Sequence, residues 1–331
     1  KQAGSYQHLD WKTITPSEKN DWINQRDGFF DTLLPLVPEK KYDVQSKSVF
    51  VMHMLGMGTN RDAWVYNYSK DEVEKNMRSM IDFYNEQLGN ANPSTDPSRI
   101  SWTSRLLEDA QKGKAYGFAE QEFVSAMYRP FCKQVLYAHR PFLHRPAIRE
   151  RLFPTPQHKN LLICFTSGTM QSCLITDNIP DLHFVGDSQC FPLYWYEENK
   201  AIHAQNLFGE ENTDRWIQHD GVTDWMLKEV RSCFSGAKNL TKEDIFYYVY
   251  GLLHSPDYRE RFADELRKSL PRIPIIERVE DFMAFSKAGR ALADLHLKYE
   301  DYACEVDVEV KERRRPVQGG AGARGSVRPE P

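Results

Sequence analysis

The chain has 331 residues, a net charge of −4 and 40% hydrophobic content, enough for one large domain or two with a sizeable core. It lacks the roughly 18 uninterrupted apolar residues of a membrane span and a cleavable leader, so a soluble, cytoplasmic protein is expected. Cys132, Cys164, Cys173, Cys190, Cys233 and Cys304 include no CxxC pair and no Cys/His group at zinc-ligand spacing, which argues against a zinc module and fits free thiols in a reducing compartment. The chain opens on Lys1 rather than methionine and reads as a piece of a longer polypeptide.

In chain order, residues 1–45 carry Trp11, Trp22, Pro16, Pro35 and Pro38 with little periodicity and read as a lead-in that packs through its aromatics. Ser48–Leu55 and Asp62–Tyr68 are β-rich runs around a Gly-containing loop; they predict a hairpin whose tip presents Thr59, Asn60 and Arg61 to solvent. Ser69 and Glu72 have capping-box spacing ahead of Val73, Met77, Met80, Ile81 and Tyr84, which predicts a helix ending at Gly89. A shorter amphipathic helix is expected over Ser101–Gln111. Short apolar runs at Leu161–Thr166, Cys173–Thr176, Leu182–Val185 and Phe191–Tyr196 predict a meandering sheet, and polar residues 197–220 a loop. Thr241 and Asp244 cap a predicted helix, Ser255-Pro256 opens a second that ends at Pro271, and a third spans about 279 to 298. Residues 312–331, rich in Arg, Gly and Pro, read as disordered. The expected class is α+β: a β-rich central sheet region, a helical carboxy-terminal subdomain and a disordered tail.

Charge is distributed unevenly. Between Tyr128 and Lys159 stand Arg129, Lys133, Arg140, Arg145, Arg149, Arg151 and Lys159 against the single acid Glu150, a net +6 that leaves −10 for the rest of the chain. Aromatic rings are interleaved with these cations. Such a strip suits a polyanion, because Lys and Arg displace counterions from phosphates while flat rings lie against bases. The competing view is a solvated face, or one neutralised by acids from elsewhere in the chain. A third reading is a scaffold whose basic strip meets acidic protein surfaces.

Catalytic signatures are sparse: GxxxxGK[ST], GxGxxG between strand and helix, GxSxG and HExxH do not occur. Asp181, Glu198 and Lys200 follow the linear order of metal-dependent nucleases, in which two carboxylates hold Mg²⁺ and a lysine activates water. The alternative is a turn aspartate followed by a surface acid-lysine run. Tyr247, Tyr248 and Tyr250 suggest a stacking platform, but their helical spacing favours packing.

Several motifs occur together in one order: Gly58-Thr59-Asn60-Arg61-Asp62-Ala63-Trp64-Val65-Tyr66-Asn67, Met127-Tyr128-Arg129-Pro130-Phe131, Pro180-Asp181-Leu182-His183, Gln189-Cys190-Phe191-Pro192, Asp244 to Ser255, Leu270 to Pro274 and Ala288-Gly289-Arg290. With them the chain resembles, from about Trp11 to Tyr302, the carboxy-terminal part of type ISP restriction-modification enzymes. These are single polypeptides with a nuclease, a translocating helicase, an adenine methyltransferase and a target-recognition region.

The resemblance implies sequence-specific recognition of double-stranded DNA, in the same polypeptide as upstream methyltransferase and helicase domains. It implies no cofactor on this chain; S-adenosylmethionine, ATP and Mg belong upstream. Residues 1–45 are then a lead-in from the methyltransferase, 46–240 a mixed target-recognition region, 241–300 a helical subdomain and 301–331 a tail. Arg129, Lys133, Arg140, Arg145 and Arg149 are the candidate phosphate anchors. Asn60, Arg61 and Gln189 are the candidate base readers, since forked groups pair with base edges. A supporting role, with Asp62 pairing to Arg61, stays open for the first two. Thr59, Tyr128, Lys242, Arg259 and Arg272 are weaker candidates.

Overall fold

Apolar side chains at helical spacing behind a polar cap build the long helices, and the computed structural model, which describes residues 12–38, 47–168, 171–199, 215–234 and 238–302, sets them among short strands. Strands β1 (Leu34–Pro35) and β2 (Met54–Leu55) come first, then the one-turn helix α1 (Asp62–Val65), β3 (Tyr66–Asn67), α2 (Lys70–Glu86) and α3 (Ser104–Gln111). The hairpin β4 (Phe123–Arg129) and β5 (Cys132–Tyr137) precedes α4 (Ala147–Leu152), β6 (Leu162–Thr166), β7 (Ser172–Thr176) and β8 (Ile179–Pro180). Next are β9 (Gln189–Pro192), β10 (Tyr194–Glu198), β11 (Trp216–Asp220), α5 (Asp224–Cys233), α6 (Lys242–Leu253), α7 (Pro256–Arg261), α8 (Ala263–Leu266), β12 (Arg272–Ile273) and α9 (Val279–Leu297). The class is α+β, as expected.

The described residues fall into two compact units, each assembled from separated segments: 12–54, 161–175 and 185–294 in one, 55–160, 176–184 and 295–302 in the other. In the first unit the capping box of Thr241 and Asp244 starts α6, whose Tyr248 stacks on Phe282 of α9 at 4.1 Å and donates its hydroxyl to the Pro274 carbonyl at 2.8 Å. Tyr247, Tyr248 and Tyr250 are all buried, so the tyrosines are packing residues. Helices α6 and α9 meet backbone to backbone at Gly251 and Gly289; a Cβ on Gly289 would overlap the Tyr247 carbonyl oxygen, and one on Gly251 the Phe285 carbonyl oxygen. The lead-in packs through Phe30, Leu33 and Leu36 rather than through Trp22, which is 61% exposed; Trp11 lies outside the described residues. Strand β1 pairs with β12, and Phe30 meets Phe262 at 5.2 Å.

In the second unit the sheet order is β3-β5-β4-β8, with β8 parallel to β4 and the other pairs antiparallel. Helix α2 buries Val73, Met77, Met80, Ile81 and Tyr84 as expected. Only one arm of its capping box forms, the Glu72 N–H to Ser69 Oγ at 3.3 Å, because the Ser69 N–H donates instead to Asn67 Oδ1 at 3.0 Å.

Other expectations need correction. Residues 48–68 are not a hairpin: Asp62–Val65 is helical, β2 belongs to the sheet β2-β9-β6-β7, and β3 pairs with β5. The meander is interrupted, since β8 joins β4 and Leu182–Val185 is turn rather than strand. The predicted loop 197–220 holds the end of β10 and all of β11, which pair antiparallel from Tyr194↔Asp220 to Glu198↔Trp216. The helix expected after Pro256 breaks at Phe262. The predicted disordered tail, 312–331, lies outside the described residues.

Candidate nucleic-acid interface

The strip from Tyr128 to Lys159 begins on the β4–β5 hairpin and continues through the 3-10 turn Arg140–Phe142 and α4. Its cations are not a bare row, because carboxylates distant in sequence meet Arg129, Lys133 and Arg149. Arg129 Nη1 donates to Asp181 Oδ1 at 2.6 Å and to the Tyr128 carbonyl at 2.6 Å, while Nη2 lies 3.9 Å from Asp62. The Asp181 side chain is only 3% exposed. Burial pushes its carboxyl above the ordinary carboxylate range, although the His183 N–H and Arg129 pull it back. Arg149 is tied to Glu122 and to the Ala138 carbonyl. Lys133 meets Glu300 at 2.7 Å, and Arg140 meets Glu150 at 3.2 Å. Arg145 is exposed, with no ion-pair partner among the described residues, and its backbone N–H bonds the Gly58 carbonyl at 2.8 Å.

The expected row of phosphate anchors is therefore corrected, and the exposure of each carboxylate partner sorts its members: Asp181 at 3% and Glu122 at 22% against Glu150 at 41% and Glu300 at 53%. A buried pair is expensive to break, whereas an exposed one is worth at most about 1 kcal/mol and yields readily to a phosphate. Arg129 and Arg149 are structural ties. Arg140, whose side chain is 61% exposed beside a Glu150 that is 41% exposed, remains available, as do Arg145 and, at the rim, Lys133.

The loop Gly56–Arg61 is held from both sides. Met57 N–H bonds the Pro180 carbonyl at 2.7 Å, Leu182 N–H bonds the Met57 carbonyl at 2.8 Å, and His144 N–H bonds the Gly58 carbonyl at 2.9 Å. Gly56 passes so close to Asp181 that a Cβ there would collide with the Asp181 backbone. Of the predicted tip residues only Asn60 is exposed, in a left-handed conformation with φ of 56°. Thr59 is buried; its hydroxyl donates to Asp62 Oδ1 and accepts the Arg61 N–H at 3.1 Å. Arg61 is 3% exposed, reaches Thr103 Oγ1 at 3.3 Å and faces the Phe142 ring at 5.9 Å. It does not pair with Asp62. A recess of about 270 Å³ is lined by residues 57–62 and 181–183.

The other candidates fall into supporting positions. Tyr128 is half-buried, 4.8 Å from Tyr66, with the Arg129 guanidinium 3.9 Å above its ring. Lys242 bridges Asp220 at 2.8 Å and Asp224 at 2.6 Å. Arg259 donates to the Gln171 carbonyl at 3.0 Å, and Arg272 to the Asp31 and Leu33 carbonyls at 3.2 and 3.0 Å. Gln189 opens β9 opposite Phe165 and is half-buried. The nuclease set gains no support: Asp181 is committed to Arg129, Glu198 accepts from Arg215 at 2.7 Å, and Lys200 lies outside the described residues. Among the described residues no group of three or more His, Cys, Asp or Glu could hold a metal ion. Arg105, which the sequence did not single out, is exposed in the first turn of α3, a turn that contains no acid.

The family model of the Type ISP C-terminal specificity domain matches residues 48–323, and the chain belongs to that family. Among solved structures it is similar to the ATP-dependent Type ISP restriction-modification enzyme LlaBIII bound to DNA, with 34% identity and a TM-score of 0.75 over 88% of this chain and 18% of that one. The DrdV–DNA complex matches at 28% identity and a TM-score of 0.76, over 89% of this chain and 28% of that one. A nuclease-deletion mutant of the Type ISP enzyme LlaGI in complex with a DNA substrate mimic matches at 32% identity and a TM-score of 0.69, over 88% and 21%. The chain thus spans less than a third of each of these enzymes. No curated protein matches. No helix among the described residues is long and apolar enough to cross a membrane.

Proposed function

We propose that this chain is the DNA target-recognition part of a Type ISP restriction-modification polypeptide, gripping duplex DNA so that upstream domains methylate an adenine or translocate and cleave. The family match over residues 48–323, with likeness to three DNA-bound enzymes, is the observation that carries this reading. Arg140, Arg145 and Lys133 hold backbone phosphates and fix register, while Asn60 meets a base edge, a good forked contact contributing about 1–3 kcal/mol of discrimination. Rotating an adenine out of the stack costs a few kcal/mol, and backbone contacts on this chain help to offset that cost.

Catalysis belongs on this reading to upstream domains, together with S-adenosylmethionine, ATP and Mg. The sequence contains neither a phosphate-cradling GxxxxGK[ST] loop nor an Asn-Pro-Pro-Tyr motif for a flipped adenine. Selection from a pool of random duplexes, with affinities measured at two salt concentrations against non-specific competitor, tests the proposal. Enrichment of one short motif and a steep salt dependence are expected. Absence of duplex binding, or binding with no preferred sequence, overturns it.

A further inference from the structure

Arg61 is neither offset by a carboxylate nor open to solvent. It is 3% exposed, and its Nε and Nη1 have no hydrogen-bond partner. Its Nη2 donates to Thr103 Oγ1, the same oxygen that caps α3 by accepting the Leu106 N–H at 3.3 Å. The guanidinium is thereby directed at the amino end of α3. Burial alone pushes its pKa down to about 10.

A lone cation is badly placed there. The amino end of a helix carries partial positive charge and N–H groups with no intrahelical acceptor, and it favours anions. The first turn of α3 contains no acid, and exposed Arg105 adds positive charge with no ion-pair partner among the described residues. Two independent features, a helix terminus without a counter-charge and a buried guanidinium with unspent donors, call for the same ligand.

We propose that the amino end of α3, with Arg61 beneath it and Arg105 beside it, is a phosphate seat that receives one backbone phosphodiester of duplex DNA. The N–H groups of Ser104 and Arg105 supply donors suited to the oxygens of a tetrahedral anion, and the uncompensated Arg61 guanidinium beneath them supplies a charge of the right sign. The seat rests on the DNA-binding reading and adds a contact outside the strip 128–159. A guanidinium present only to hold the fold would have its donors engaged, and deleting it would loosen the protein. A guanidinium kept for a phosphate leaves the free protein no worse when it is removed.

The test compares the full chain with Arg61→Met and Ser104→Glu, measuring thermal unfolding without DNA and duplex affinity across a salt series. Ser104→Glu places a carboxylate in the first turn, which favours the helix and occupies the seat. Both variants should melt at or above the wild-type temperature, yet bind duplex at least fivefold more weakly, with a log-affinity against log-salt slope shallower by about one contact. Wild-type affinity and slope in both variants overturn the seat alone, as does weakened binding that merely tracks a lower melting temperature. A wild-type chain that binds no duplex at low salt overturns the DNA reading, and the seat with it.

Discussion

The β4–β5 hairpin and the Thr59–Arg61 turn both carry arginine, yet they hold it in opposite electrostatic states. On the hairpin Arg129 is anchored to Asp181 at 2.6 Å, with Asp62 at 3.9 Å as a second carboxylate. In the turn Arg61 is 3% exposed, against 36% for the Arg129 side chain, and its contacts are a hydroxyl and an aromatic ring. A buried pair is a structural tie, whereas a buried unpaired charge is a cost carried until an anion arrives. The density of cations along the sequence therefore says little about which of them are free. Acids at positions 62, 122, 181 and 300 make that choice, brought in by a fold whose units are discontinuous in sequence.

Breaking the hairpin side of this contrast should give the largest effect. Arg129→Gln strands a nearly inaccessible Asp181 carboxylate and should lower unfolding free energy by about 2 kcal/mol in denaturant titration, discounted from the fully buried case because Arg129 is partly exposed. Its duplex affinity per folded molecule should not change. Arg140→Ala combined with Arg145→Ala should do the reverse: stability within about 0.5 kcal/mol of wild type, duplex affinity down about tenfold, and a salt slope shallower by about two contacts.

Arg61 gives a pH test of the other side. Its folded pKa of about 10 lies below the ordinary 12.5, so the unfolded chain binds that proton more tightly. The destabilisation is complete below about pH 10 and is relieved as pH rises through the window to 12.5. Any stability advantage of Arg61→Met over wild type should therefore shrink above pH 10 by about 1 kcal/mol per pH unit, read from paired urea titrations. An advantage that stays constant or grows would mean that Arg61 is not the strained cation described. The smallest effect is expected for Glu150→Gln, which removes an exposed partner of Arg140. Stability should move by less than about 0.5 kcal/mol, while duplex binding tightens about twofold.

Much of the helical framework was legible because its signals are local. Ser69 and Thr241 cap where their spacing predicts, and α2, α6 and α9 run close to the expected bounds. The strands were harder because β2, β3 and β8 span two residues each and pair with partners far away in sequence. Composition drew Asp62–Val65 towards a strand, but Trp64 N–H and Val65 N–H turn back to the Arg61 carbonyl and close a helical turn. Strand β11 was hidden because several of its residues face water, leaving no apolar alternation to detect. In the candidate site Asn60 is exposed as the sequence suggested, whereas the burial of Arg61 depends on Thr103 and Phe142, some 40 and 80 residues downstream.

The glycine contact between α6 and α9 constrains how this protein can diverge. With no room for even one methyl group at Gly251 or Gly289, the helix pair is closed to nearly every mutation at those positions. Exposed Arg145 meets no such steric barrier, and exposed Asn60 is restricted only by its left-handed backbone, which favours Gly, Asn and Asp. Descendants with a new target sequence would arise by exchanging side chains on such outer turns while inheriting the helix seam unchanged.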